Sequence, residues 1–401
     1  MTTYDPRRVE VVADPYPAFE RLRDEDPVHW SEILGGWVLT RYADVRAALA
    51  DPRLSADRIT PFLARRSPSS SEAVEALLRR VGLWVVFTDP PLHTRLRGVL
   101  GRIFTGRTIE FRRPRVAAIV DGLLDRAAAA GEMDLIRDFA YPLPVTVIGD
   151  LLGVPPEDYE RLKTWSDELA IFVGSSLTTA DKYERAARGV AEMHDYFERV
   201  VARRREAPAD DLVTALLAAG ESGDALSHGE LVASCVLLLF AGHETTTNLI
   251  GNGALALLRH PAAARAWRDD LRLTTSAVEE LLRYDGPTPA MVRIAKEDVP
   301  IDGRVIRRGE RLFLMINAAN RDPRQFAEPD RLDLRRTDNR HLAFGHGIHF
   351  CLGAPLARLE GQIALPALLG RFPGLAPGRA EPEWLDSLVF RGMRSLPVAL
   401  G

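Results

Sequence analysis

Residues 341 to 353, HLAFGHGIHFCLG, place three histidines and one of the chain's two cysteines within thirteen positions. By composition His341, His346, His349 and Cys351 supply the four imidazole and thiolate donors of a tetrahedral zinc site. The gaps of 5, 3 and 2 residues crowd all four into one segment, whereas zinc loops usually draw on paired, short-spaced ligands. Gly345, Gly347 and Gly353 punctuate the stretch, and glycine serves where a chain turns through positive φ or approaches a flat ligand closely. After Cys351 the sequence APLARLEGQIALPALL reads as a helix, so the cysteine sits near a helix N-terminus, where backbone N–H groups and the dipole favour a thiolate. A thiolate in a glycine-rich turn suits an axial ligand to a planar metal cofactor such as haem.

Three further groupings carry chemistry. Ala241-Gly242 opens a gap in an apolar helix just before His243-Glu244-Thr245, and an acid and a hydroxyl beside a gap invite a small bound molecule. The alternative is local: Thr245 bonds back to a carbonyl and Glu244 pairs with an arginine. Glu280 and Arg283 stand at helical i, i+3 spacing in VEELLRYDG, a pairing that by itself is often surface decoration. Asp89-Pro90-Pro91 opens a helix with aspartate as N-cap and sets His93 and Arg97 on one face, which suits a carboxylate or phosphate or else a solvated basic face.

Helical periodicity dominates the elements that must position these groups, at 15–25, 43–51, 113–131, 183–205 and 227–261. In the last of these Ser227 and Glu230 form a capping box and Pro261 supplies a stop. About 33 residues give a rod of roughly 50 Å, apolar all round at Leu237 to Phe240 as in a buried helix. Strand-like pieces are short: VHWSEI, GWVLT, VPIDGRVIRRGERLFLMI and LPVAL. The fold class is mainly α with small β-sheets, and 65–73 and 205–211 read as surface loops rather than domain boundaries.

The chain has 401 residues, 46% hydrophobic and 27% charged, with a net charge of -4, so a buried cofactor has room and neither nucleic acid nor an anionic membrane surface is suggested as a partner. Two cysteines, Cys235 and Cys351, make no disulfide framework. No signal core or bilayer-length apolar run is present, and the expectation is a cytoplasmic protein without a membrane anchor.

Phe344-Gly345-His346-Gly347-Ile348-His349-Phe350-Cys351-Leu352-Gly353 resembles the cysteine-ligand signature of the cytochrome P-450 family. Ala241 to Thr245 resembles that family's oxygen-activating motif, Glu280 to Arg283 its acid-arginine pair, and Asn320-Arg321-Asp322-Pro323 with Phe326 and Pro329 the segment before its cysteine loop. The likeness runs from DPYPAF near the start to the final LPVAL and is nearest to the soluble bacterial type.

The resemblance implies one catalytic domain over 1–401, with a helix-rich and a small β-rich part and no fused reductase. It implies a triangular prism of helices with haem between the long central helix and the cysteine-loop helix. Cys351 is implied as the ligand of the iron of haem b, and Thr245 and Glu244 as the groups that deliver protons to O2. Ala241 and Gly242 would leave room for O2, and Phe344, Gly345 and Gly353 would shape the loop against the haem. His93, Arg97, Arg293 and His349 are implied haem-propionate partners, histidine standing at 349 where many relatives have arginine. Glu280, Arg283 and Arg331 are implied as a buried ion-pair network supporting the loop.

Position within that fold implies a pocket of Trp84, Val85, Val86, Leu238, Ala290, Met291, Val292 and Phe390 for a hydrophobic small molecule. The implied reaction is monooxygenation by a monomeric enzyme, with electrons from a ferredoxin or flavodoxin and its NAD(P)H reductase. Arg102 and Arg358 are candidates to steer an acidic partner, or simply solvated charge. Two other readings share the fold: a peroxide-driven peroxygenase, which commonly lacks the acid-threonine pair, and a haem-binding sensor.

Overall fold

The computed structural model describes residues 4–64, 71–219 and 226–401. Seven helices and one five-stranded sheet place the groups named above. The helices are α1 (Leu92–Ile103), α2 (Pro142–Leu151), α3 (Tyr159–Val173), α4 (Lys182–Glu206), α5 (His228–Arg259) and α6 (Thr274–Tyr284); α7 (Ala354–Arg371) follows the cysteine loop. Of the loops expected in the sequence, 65–70 lie outside the described residues, while Ser71 caps a helix at Glu72–Val81.

The central helix α5 forms as its ends predict. Ser227 Oγ accepts the Glu230 N–H at 3.3 Å, Glu230 Oε2 accepts the Ser227 N–H at 2.8 Å, and the helix stops at Arg259, two residues before Pro261. Almost every residue from Glu230 to Leu257 is buried, because α2, α4, α6 and α7 pack around the rod. The other four periodic segments appear at Tyr16–Glu25, Tyr42–Ala50, Arg113–Ala130 and α4. Helices α2 and α3 were not evident from periodicity: α2 is apolar on nearly all sides, which erases the polar stripe that marks an amphipathic helix.

The sheet runs β1 (Val28–Ser31), β2 (Gly36–Leu39), β5 (Arg311–Met315), β4 (Ala290–Ala295) and β3 (Leu54–Ser55) in spatial order. Strand β2 pairs parallel with β5, and the other neighbours pair antiparallel. The long strand-like run near 299–316 divides into a hairpin, Val299–Ile301 with Arg304–Ile306, and β5. Asp302 and Gly303, at φ 43° and 73°, make the tight turn between them. Near the C-terminus, Pro397–Ala399 pairs with Met133–Asp134 and Ala376–Pro377. The architecture is therefore mainly helical with small sheets. No described helix is long and apolar enough to cross a membrane.

Candidate active site

A cavity of about 240 Å³ lies between α5 and the cysteine loop. Its roof is Leu237, Leu238, Ala241, Gly242, Thr245, Thr246 and Leu249 of α5, and its floor includes Phe344, Cys351, Leu352 and Gly353. His93, Arg97 and His349 close one edge.

The floor is set by backbone. Cys351 N–H donates to Phe344 O at 2.8 Å, closing a loop that turns through Gly345 and Gly347 at φ 73° and 74°, a region that favours glycine. Gly347 also lets the loop approach Tyr42–Ala50, since a Cβ there would lie 3.2 Å from Leu49 O. Burial pushes the Cys351 thiol up, while the N–H groups of Gly353 and Ala354 and the charges of Arg97 and Arg358 pull it down.

The four apparent zinc ligands do not converge. His341 Nε2 goes to Glu279 at 3.0 Å, His349 stacks obliquely on His93 with ring centroids 4.2 Å apart, and His346 is not in the cavity wall. Among the described residues no group of three or more His, Cys, Asp or Glu forms a metal-ligand cluster.

At the cavity edge nitrogen groups crowd together with little acid. Arg97 Nη2 donates to Phe350 O at 2.6 Å and Arg293 Nη1 to Val292 O at 3.0 Å. His93 Nε2 is buried with no protein partner. Burial, then the charge of Arg293 and the neighbouring His93, push His349 down to about 3, and burial brings Arg293 down to about 10. A pocket that depresses its own bases favours an anion, and the two carboxylates of a haem fit that demand. The thiol on the floor and the apolar wall fit the rest of the macrocycle. Arg58, also brought down to about 10 by burial and then Arg293, was missed in the sequence, where it stands alone between short elements.

Asp89 does not cap α1. Its carboxylate accepts Ser55 Oγ at 2.6 Å and Ala56 N–H at 3.1 Å, tying the start of α1 to β3.

On the roof Thr245 Oγ1 donates to Ala241 O at 3.2 Å and Thr246 Oγ1 to Gly242 O at 3.3 Å. A Cβ on Gly242 would meet Ile148 Cγ1 at 2.8 Å, so its smallness serves the packing of α2 as well as the cavity. Glu244 faces α3 instead of the cavity. It accepts a long 3.4 Å bond from Asn248 Nδ2, and burial, reinforced by Asp167, pushes it up to about 7.

Behind the floor, Glu280 and Arg283 are fully buried and paired through two bonds of 2.7 and 2.8 Å. The expected third member is corrected: Arg331 sends its side chain, 57% exposed, to Glu328 and Asp333 and offers only its carbonyl to Arg283. The turn there points carbonyls inward, Pro329 O as well as Arg331 O, which leaves the Arg331 side chain outside. Arg336 takes its place, with Nε 3.1 Å from Glu280 Oε2. Asn320 joins this network to the loop, accepting Arg283 Nη1 on its carbonyl and Leu342 N–H on Oδ1.

Of the expected pocket, Val85, Val86, Leu238 and Met291 line the cavity. Trp84, Ala290, Val292 and Phe390 do not. Successive β4 residues face opposite sides, so Met291 turns inward while Ala290 and Val292 turn away. Trp84 and Phe390 pack on Phe240, at 5.9 and 6.0 Å, behind the wall. Ile148, Pro287 and Thr288 were not anticipated, since they come from segments with no chemical motif, and Thr246 joins the wall from the polar run that holds Thr245.

An open cavity with one thiol on its floor, hydroxyls on its roof and buried bases at its edge fits a helical enzyme of the haem-thiolate class. The Cytochrome P450 family model matches residues 82–391. The chain is 45% identical to the Vitamin D(3) 25-hydroxylase of Pseudonocardia autotrophica, over 97% of this chain and 94% of that protein. It is 43% identical to Cytochrome P450 monooxygenase PikC of Streptomyces venezuelae, over 97% and 92%. Among solved structures, P450BioI in complex with an acyl carrier protein ligated to hexadec-9Z-enoic acid superposes with a TM-score of 0.90 at 37% identity, covering 98% of this chain and 99% of that one. The chain belongs to the cytochrome P450 family and is a P450 monooxygenase, a family that uses haem iron and O2.

Proposed function

We propose that the chain, acting as a single catalytic domain, inserts one atom of O2 into a C–H bond or double bond of a hydrophobic organic molecule. The other atom leaves as water with two protons and two electrons from a separate ferredoxin or flavodoxin and its NAD(P)H reductase. The observation that carries this reading is Cys351 on the cavity floor facing Ala241 and Thr245 on the roof.

Cys351 would hold the iron of haem b through its thiolate, and the bound group would supply the redox chemistry that activates O2. The chain's own groups do the rest. His93, Arg97, Arg293 and His349 hold the propionates, His93 Nε2 gaining the partner it lacks. Thr245 Oγ1 presents a hydroxyl at the roof. Glu244, poised near neutrality behind the roof with Oε1 accepting from Asn248, would serve as a proton reservoir and would have to turn from α3 to reach Thr245. Val85, Leu238 and Met291 exclude water and receive apolar substrate. The names of the relatives, a vitamin D(3) hydroxylase and a protein complexed with a fatty-acyl carrier protein, support a large apolar substrate. The acid-threonine pair favours the monooxygenase over the peroxide-driven reading.

The test is turnover of candidate apolar substrates with a ferredoxin, its reductase, NAD(P)H and isotopically heavy O2. The expected product carries one heavy oxygen atom. Product formed from hydrogen peroxide alone, and none from the reductase system, would replace this reading with the peroxygenase.

A further inference from the structure

Glu279 stands beside the buried Glu280 on α6 but turns the other way. Its carboxylate accepts Arg358 Nε at 2.7 Å and Nη2 at 2.9 Å from α7, and His341 Nε2 at 3.0 Å. Nδ1 of His341 accepts the Ala343 N–H at 3.2 Å, which assigns a ring proton to Nε2, the atom that donates to the acid. The guanidinium of Arg358 lies over the Phe344 ring, 4.4 Å from its centroid, and Phe344 O receives the Cys351 N–H. Three segments remote in sequence therefore meet on one carboxylate: α6, the residues leading into the cysteine loop, and the helix leading out of it. A bidentate arginine-carboxylate pair fixes orientation as well as distance. Arg358 is thus committed inward rather than held free as a solvated charge.

The cluster has an electrostatic consequence too. The charge of Arg358 acts on Cys351, and the paired carboxylate of Glu279 offsets part of that charge. Groups just outside a metal ligand set both its placement and its electronic character.

We propose that Glu279 is a positioning residue for Cys351, tying both ends of the cysteine loop together through His341 and Arg358 and offsetting part of the Arg358 charge at the sulfur. The proposal rests on Cys351 being the haem ligand.

The test compares the reduction potential and the reduced-CO spectrum of the haem-loaded full chain with those of Glu279→Gln, Arg358→Met and Glu279→Asp. Loss of the acid should shift the potential up and loss of the cation should shift it down. Both variants should enlarge the fraction of CO complex with the short-wavelength band of a lost thiolate, and Glu279→Asp should restore most of the parent behaviour. General loosening of the loop would move both potentials the same way, so shifts of one sign, or none, overturn the proposal while the parent's thiolate band keeps the Cys351 reading intact. A parent without that band overturns both. If Glu279→Gln takes up no haem, Arg358→Lys decides: it keeps the charge and loses the fork, so the potential should stay near the parent's while the short-wavelength fraction rises, and an unchanged fraction overturns the proposal.

Discussion

Two clusters on opposite sides of the cavity, Glu279 with Glu280 behind the cysteine loop and Glu244 with its neighbours on α5, are built on opposite terms. Behind the cysteine loop two acids are saturated: Glu280 accepts from Arg283, Arg336, Asn339 and the Asp333 N–H, and Glu279 accepts three bonds, whereas Glu360 of α7 is buried with both carboxylate oxygens unpartnered and burial holds it well above the usual carboxylate range. Burial pushes Glu279 up, but Arg358 and His341 outweigh it and hold the acid down at about 2. Across the cavity, α5 and its neighbours leave polar groups short of partners. His243 Nε2, Thr247 Oγ1 and Tyr141 OH are buried without one, and Glu244 has the single long bond from Asn248. The two acids that brace the cysteine loop, Glu279 and Glu280, are over-determined by charge pairs. The side that must move protons keeps titration and hydrogen-bonding capacity in reserve.

Breaking the saturated side should cost most. Arg283→Met strands Glu280 at zero exposure, and a loss of about 3–5 kcal/mol is expected in chemical denaturation, enough to abolish folding in a marginal chain. Arg336→Ala should cost about 1–3 kcal/mol, because Glu280 keeps Arg283 but loses a charged donor. Arg331→Ala should stay within about 0.5 kcal/mol, since only its carbonyl joins the network. Equal costs for Arg331 and Arg336 would undo the corrected assignment.

On the other side the effects should fall on chemistry rather than folding. Thr245→Ala should leave haem content unchanged and divert reducing equivalents to hydrogen peroxide, measured as peroxide formed per NAD(P)H consumed; unchanged coupling would remove Thr245 from the mechanism. Glu244 gives a smaller, pH-resolved effect. Its folded value near 7 lies above the ordinary 4.5, so the stability it contributes is present at low pH and lost as pH rises through about 7. Glu244→Gln should flatten the stability profile between those values, and an unaltered profile would show that Glu244 is not perturbed by its site.

Much of this contrast was legible in the sequence where one short segment carries its own signal. Ser227, Glu230 and Pro261 bounded α5, and the cysteine loop announced itself through its glycines. Contacts between remote segments were not legible. Nothing in the spacing of Arg331 and Arg336 says which side chain turns inward, because the turn geometry decides it. Residues 279, 341 and 358 meet only when α6 and α7 pack. Trp84 and Phe390 look like pocket residues in the sequence, yet aromatic contact with Phe240, stacked for Trp84 and edge-on for Phe390, places them one layer behind the wall.

The central claim is that Cys351, and none of the three histidines around it, binds the metal. Carbon monoxide difference spectroscopy of the reduced, haem-loaded protein tests it most directly when run on the parent, Cys351→Ser and His346→Ala. The parent and His346→Ala should show the red-shifted Soret band of a thiolate-ligated haem, and Cys351→Ser should lose it. A parent without that band, or a band that survives in Cys351→Ser and disappears in His346→Ala, would contradict the assignment.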